Sequence, residues 1–257
     1  MEQRGAVAVV TLDRPAVRNA IDGAMIDELT LAFRQAVGDG AVRAVLLQAE
    51  GEFFSAGADL TWMQRMASAS PEENLADARR LARLMQLVDT CAKPTIARVQ
   101  GMALAGAVGL VACCDVVIAA DTAEFGLSEV RLGLIPSVIG PYVVRAIGPR
   151  AARRLFLTGE RIKAPEALRL GLVHETVPAH ALDAAVARHA VAVLAGGPNA
   201  QAAAKMLVAD LARPIDEGLI DDTARRIAAI RATPEAREGI AAFFAKRKPQ
   251  WPPDSGR

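Results

Sequence analysis

Aromatic side chains are scarce in this 257-residue chain: seven Phe, two Trp and one Tyr make up 4% of it. Its core must therefore come from Ala, Val, Leu and Ile, and the 52% of hydrophobic residues is ample for one large domain or a core with an appendage. Charge is balanced. Thirty basic residues face 29 acidic ones, a formal net charge of +1, so nothing points to a nucleic-acid or membrane partner. Cysteine is limited to Cys91, Cys113 and Cys114, which have no metal-ligand spacing, and adjacent cysteines bridge each other poorly. The expectation is no metal and small buried thiols in a reducing cytosol. His174, His180 and His189 lie far from the glycine-rich stretches and read as surface or packing residues. No secretory leader opens the chain and no apolar run is long enough to span a bilayer, so a soluble, cytoplasmic protein is expected.

Strands and helices alternate over the first two thirds. Strands are expected at Ala6 to Leu12, Val42 to Gln48, Thr95 to Val99, Val116 to Ala119 and Leu172 to Val177. Asp22 is a candidate N-cap for a helix to about Val37. Pro71 to Thr90 reads as an amphipathic helix with Leu75, Ala78, Leu81, Ala82, Met85 and Val88 on its buried stripe. Further helices are expected within Pro136 to Gly148 and at Arg150 to Leu157 and Pro165 to Leu170. From Ala179 to Arg247 the pattern is helical only, broken near Gly196–Pro198, Pro214 and Pro234. The division is an α/β core over residues 1–195 and a helical region over 196–257.

Two Ala/Gly-rich breaks follow two buried strands. One is Ser55-Ala56-Gly57-Ala58-Asp59, in the loop Gly51 to Leu60; the other is Ala105-Gly106-Ala107. The residues Ala103 to Gly109 read as the start of a helix made almost wholly of small side chains. Such a start leaves unpaired N–H groups uncovered, with the positive end of the helix dipole behind them. Either the small residues only allow close packing, or the two breaks supply paired donors for an oxyanion. Removing one such donor typically costs about 2.7–4 kcal/mol of transition-state stabilisation.

An ordered series of motifs carries a resemblance. It runs through Arg14-Pro15 with Asn19-Ala20, Phe54 to Asp59, Lys93 to Ala97, Gly101 to Ala107 and Cys114-Asp115. It continues through Phe125-Gly126 with Glu129, Gly133 to Pro136, Leu157-Thr158-Gly159, Gly171-Leu172-Val173 and Phe244 to Pro249. From about Val7 to Trp251 the chain resembles the crotonase superfamily of enoyl-CoA hydratases and isomerases. The resemblance implies a spiral of ββα turns with a helical C-terminal trimerisation region, assembled as homotrimers or paired trimers (hexamers). It implies an acyl-CoA thioester substrate, with coenzyme A as part of the substrate and no separate cofactor. By position, the Ala58 and Gly106 amides would hold the thioester oxygen. The Gly51 to Leu60 loop, with Ala56, Asp59 and Leu60, would lie along coenzyme A. Phe244 and Lys246, from this subunit or a neighbour, would bind its nucleotide end; the bland alternative for Lys246-Arg247-Lys248 is a solvated basic terminus.

Glu129 falls at one of the two catalytic glutamates of the hydratases; read without the resemblance, it is a surface carboxylate pairing with Arg131 or capping a turn. Gly109 stands where the other glutamate is expected, and Ser137-Val138-Ile139 replaces a turn that is glycine-rich in many hydratases. Tyr142 reads equally as core packing or as a pocket hydroxyl. Three readings follow. The first is an enoyl-CoA hydratase; in its methylglutaconyl-type form the substrate carboxylate would pair with Arg131 or Arg145. The second is a double-bond isomerase with Glu129 as single base, and the third a non-catalytic acyl-CoA-binding protein of the same fold.

Overall fold

A computed structural model describes residues 1–251. In chain order the elements begin β1 (Glu2–Arg4), β2 (Val7–Leu12), α1 (Gly23–Gly38), β3 (Ala44–Ala49), α2 (Leu60–Ala67), α3 (Pro71–Asp89) and β4 (Thr95–Val99). Next come β5 (Met102–Leu104), α4 (Gly106–Cys113), β6 (Val116–Ala120), β7 (Glu124–Gly126), α5 (Gly140–Thr158), β8 (Arg161–Lys163), α6 (Ala164–Leu170) and β9 (Glu175–Val177). Four helices finish the described chain: α7 (Leu182–Leu194), α8 (Pro198–Asp210), α9 (Glu217–Arg231) and α10 (Pro234–Phe244).

Six strands form one sheet in the order β1-β2-β3-β4-β6-β9, parallel except for the β1–β2 pair. A second sheet, β5-β7-β8, stands beside it, with β5 and β7 parallel. After β4 and again after β6 the chain passes from the large sheet to the small one, which gives the ββα spiral expected of a crotonase fold. Strand alternation explains why the large sheet is covered on both faces. Ala97 and Val99 of β4 and Val117 and Ala119 of β6 enter the main core, whereas Ile96, Ile118 and Ala120 pack with Leu182, Ala185 and Val186 of α7.

The caps fall where the sequence places them. Asp22 accepts from Met25 N at 2.9 Å, and Ser70 with Glu73 forms a capping box before Pro71. Several sequence expectations need correction. Ala103 and Leu104 belong to β5, and α4 begins only at Gly106, because Ser55 and Gly126 supply strand-like partners that no local signal announces. Helix α2 follows directly on the Gly51 to Leu60 loop, and β1 and β8 are further elements that the sequence reading passed over. Leu75 is 50% exposed, because the buried face of α3 runs through Asp77, Leu84, Met85 and Val88. By contrast, the two helices expected on either side of Gly148 are both present: α5 breaks there, where Gly148 leaves helical geometry at φ 75°, ψ 158° ahead of Pro149. The last strand shortens to β9, since Leu172 and Val173 donate back to Ala167. Lys205 of α8 joins the C-terminal helices to the core through Asp115 at 2.7 Å, which also accepts from Thr95 N and Oγ1.

One buried side chain ties the β2–α1 connection to the β3–α2 loop. Asn19 Nδ2 donates to Glu50 O at 2.8 Å and Phe53 O at 2.9 Å, while its Oδ1 accepts from Arg14 N at 2.7 Å. Asn19 itself sits at φ 52°, a region Asn tolerates better than most residues. Replacing it by Ala leaves three part-buried backbone groups without their side-chain partner and adds strain at a positive φ. Asn19→Ala is expected to lose about 2–4 kcal/mol in urea unfolding. A loss below about 1 kcal/mol would mean that the loop is held by its backbone bonds alone.

Candidate active site

The loop after β3 is held almost completely by its own main chain. Phe54 N donates to Gln100 O, Ser55 N to Met102 O and Ala56 N to Arg18 O, each at 2.9 Å; Gly57 N reaches Ser55 Oγ at 3.1 Å. Ile21 then bridges Ala58 in the parallel sense, taking Asp59 N on its carbonyl at 2.9 Å and giving its own N–H to Gly57 O at 2.7 Å. A parallel bridge uses the groups on either side of the bridged residue. Ala58 N therefore points away from Ile21, and among the described residues it is the one amide from Phe54 to Asp59 with no acceptor.

A second free donor comes from the start of α4. Ala105 N donates to Gly126 O at 2.8 Å, and Ala105 adopts φ 50°, ψ −119°, which turns the chain sharply into the helix. Residues held in such sparsely populated backbone regions cost on the order of 1–3 kcal/mol and persist only where the surroundings fix them. Gly106 N is the first orphan donor of α4 and has no acceptor among the described residues. The two segments touch. A Cβ on Gly57 would stand 3.0 Å from Leu104 O and 3.2 Å from Ala105 Cβ, while Ile21 Cδ1 lies 3.8 Å from the Cβ position of Gly106. Ile21 thus contacts both segments, by backbone on one side and side chain on the other. Both amides lie in residues that remain partly open to solvent.

Glu129 begins the 3-10 turn Glu129–Leu132, three residues after Gly126, whose carbonyl holds Ala105. Its Oε2 is buried without a hydrogen-bond partner. Burial raises its carboxyl above the ordinary glutamate range, because the charged form loses water without gaining a cation. Arg131 does not pair with it, which removes the surface ion-pair alternative. A buried carboxylate oxygen without a partner is rare enough to mark Glu129 as a candidate functional group.

The other sequence candidates divide. Asp59 spends its carboxylate inside the chain, capping Thr61 N and Trp62 N of α2 and pairing with Arg14 at 3.3 Å; Arg14 also pairs with Asp22 at 2.9 Å. These contacts lower its carboxyl, led by the Trp62 amide. Leu60 is 75% exposed on the same loop, beyond Ala56. Phe244 (79% exposed) ends α10, which packs on α8 and α9, with Lys246 just beyond it; no hydrogen bond links either side chain to the two amides. Arg145 is committed to Asp89 and lies over the Tyr142 ring, 5.6 Å from its centroid. Arg131 packs against Gly159 and has no ion pair among the described residues. Two contacts escaped the sequence reading: Trp62 Nε1 is also buried without a partner, and Ile139, singled out in the sequence only as part of Ser137-Val138-Ile139, fills the space in front of Gly109. Neither carries a local signal, since both acquire their places through tertiary packing.

Known proteins of the same architecture are similar along nearly the whole chain. Residues 2–254 match the family described as enoyl-CoA hydratase/isomerase. A crystal structure of an enoyl-CoA hydratase from Shewanella pealeana is 47% identical, with a TM-score of 0.95 over 97% of this chain and 94% of that one. A Thermus thermophilus protein with a provisional enoyl-CoA hydratase name is 39% identical over 97% of this chain and 98% of its own length. The 2,3-dehydroadipyl-CoA hydratase of Escherichia coli is 34% identical over 95% of this chain and 94% of its own. With its ββα spiral and this match from end to end, the chain belongs to the enoyl-CoA hydratase/isomerase family, the crotonases.

Proposed function

We propose that the chain is a cytoplasmic hydratase of 2-enoyl-CoA thioesters, with an oxyanion hole formed by Ala58 N–H and Gly106 N–H and with Glu129 as its single acid–base group. The observation that carries this reading is the pair of unclaimed amides in two segments that both contact Ile21, together with the buried, unpartnered Oε2 of Glu129. In the forward direction Glu129 takes a proton from water as the oxygen bonds to C3. The C2=C3 electron pair moves onto the thioester oxygen, where the two amides receive the charge. Glu129 then returns its proton to C2 and the thioester re-forms, so atoms and charge balance with water as the only co-reactant.

Coenzyme A would lie along Ala56 to Leu60, with Asp59 contributing through the loop geometry it caps, and Phe244 and Lys246 of a neighbouring subunit would reach the nucleotide. A carboxylated acyl group of the methylglutaconyl type fits Arg131 better than Arg145, whose charge Asp89 already answers. The E. coli relative, named for a dehydroadipyl thioester, supports a carboxylated substrate. Isomerisation is the second reading, favoured by the apolar filling in front of Gly109: moving a proton between C2 and C4 needs only one base. Assembly into trimers or paired trimers is supported by exposed apolar residues on the C-terminal helices, among them Val208, Phe243 and Phe244.

Three measurements test this. Glu129→Gln is expected to lower kcat on 2-enoyl-CoA substrates by about a hundredfold to ten-thousandfold with little change in KM. Turnover equal to the parent's would remove Glu129 from the chemistry, and a parent that binds coenzyme A thioesters without converting any would make the chain a binding protein. The same variant should alter stability in a pH-dependent way. A carboxyl raised by folding contributes stability below its unfolded value and loses it as pH rises through the folded one. Glu129→Gln should therefore melt higher than the parent at about pH 8, with the gap closing toward about pH 4; a gap of constant size would refute the desolvated carboxylate. Light scattering on the purified protein should give three or six times the 27.1 kDa chain mass, and a monomer at every concentration would exclude the trimeric assembly.

A further inference from the structure

The two departures from the usual hydratase pattern, at Gly109 and at Ser137-Val138-Ile139, meet in space. A Cβ on Gly109 would stand 2.2 Å from Ile139 Cγ2, 2.7 Å from Ile139 Cβ and 3.3 Å from Met85 Sδ. Ile139 is 3% exposed and Met85 fully buried, so neither is a loose surface chain able to swing aside. The conflict reaches Ile139 Cβ, next to the backbone, where a branched side chain has little rotamer freedom to give way. Gly109 lies three residues after Gly106, on the same face of α4, so this filled volume belongs to the helix that presents one of the two free amides.

We infer that Ile139 sets the balance between water addition and double-bond migration at this site, lowering the first relative to the second without abolishing it. Where the resemblance places a proton-carrying glutamate, the space beside Gly109 is taken by the hydrocarbon of Ile139. Water cannot be held by the Ile139 and Met85 side chains, whereas a proton shift does not need it there. In that shift Glu129 removes a proton from C2 of a 3-enoyl thioester, and the electron pair spreads to the oxygen at Ala58 and Gly106. The same proton then returns at C4 as the C2=C3 bond forms. Ile139 therefore restrains water addition relative to double-bond migration. The inference rests on the thioester reading given above.

Two linked experiments test it. In an open helix Gly→Ala raises stability; here Gly109→Ala should lower Tm by about 5 °C or more, and most of that loss should vanish when Ile139→Ala is already present. Equal losses in the two backgrounds would disprove the shared volume. For the chemistry, the parent, Gly109→Glu and the double variant Gly109→Glu with Ile139→Gly are given a four-carbon 2-enoyl-CoA and its 3-enoyl isomer. The ratio of hydrated to migrated product should rise about tenfold or more only in the double variant, whose hydration pH profile should also gain a second ionisation. A ratio that rises equally in Gly109→Glu alone overturns the inference. So does an unchanged ratio in a double variant that melts and binds thioester like the parent. If the double variant does not fold, the alanine pair still decides whether the two positions share one space. A parent that neither binds nor converts either thioester defeats the thioester reading instead, a different result from any of these.

Discussion

The parallel bridge between Ile21 and Ala58 is the contact on which the rest of the site depends. It consumes Gly57 O and Asp59 N and, by the geometry of parallel pairing, turns the intervening Ala58 N–H outward. Every other amide from Phe54 to Asp59 has an internal acceptor, so the loop cannot rotate Ala58 back into the fold without breaking several bonds at once. Asn19 fixes the same loop from below, and Arg14 ties it to both Asp22 and Asp59. A donor held this firmly needs little reorganisation when charge develops in front of it, which is where backbone amides gain their advantage over mobile side chains.

Two local costs are concentrated around that donor. Ala105 occupies a backbone region that side chains disfavour, and Glu129 keeps an unpartnered oxygen out of water. Both residues are linked to β7, Ala105 through Gly126 O and Glu129 through the chain that leaves the strand. The surrounding packing is dense enough to hold them: Phe125 and Leu127, on either side of Gly126, are buried in the same core as Ala103, Ala107 and Val108. Strain and desolvation thus sit where chemistry can use them, and ordinary apolar burial elsewhere offsets them.

The filled space at Gly109 couples two helices at a single point. Helix α4 keeps its small residues and its free N-terminal amide, and α5 keeps its place against α4. The space between them is occupied by Ile139, from the start of α5. Because interiors are close-packed, a residue added at one point must be removed at its neighbour, so positions 109 and 139 form a single choice.

Much of this was legible in the sequence, because the signals are local. Short apolar, β-branched runs between turn signals gave β2, β3, β4 and β6 within about two residues, while Asp22 marked a helix start by capping chemistry that depends only on adjacent amides. The ordered motifs named the family, and they pointed to the Ala58 and Gly106 amides and to Glu129 as the candidates on which the proposed chemistry rests. What the sequence could not hold was any property set by residues far apart along the chain. That Ala103 and Leu104 form a strand depends on Ser55 and Phe125, that Arg145 is already neutralised depends on Asp89, and that Gly109 has no room beside it depends on Ile139 and Met85. Local dihedral preference and periodicity are written residue by residue; occupancy of space and the fate of a charge are decided only when distant segments meet.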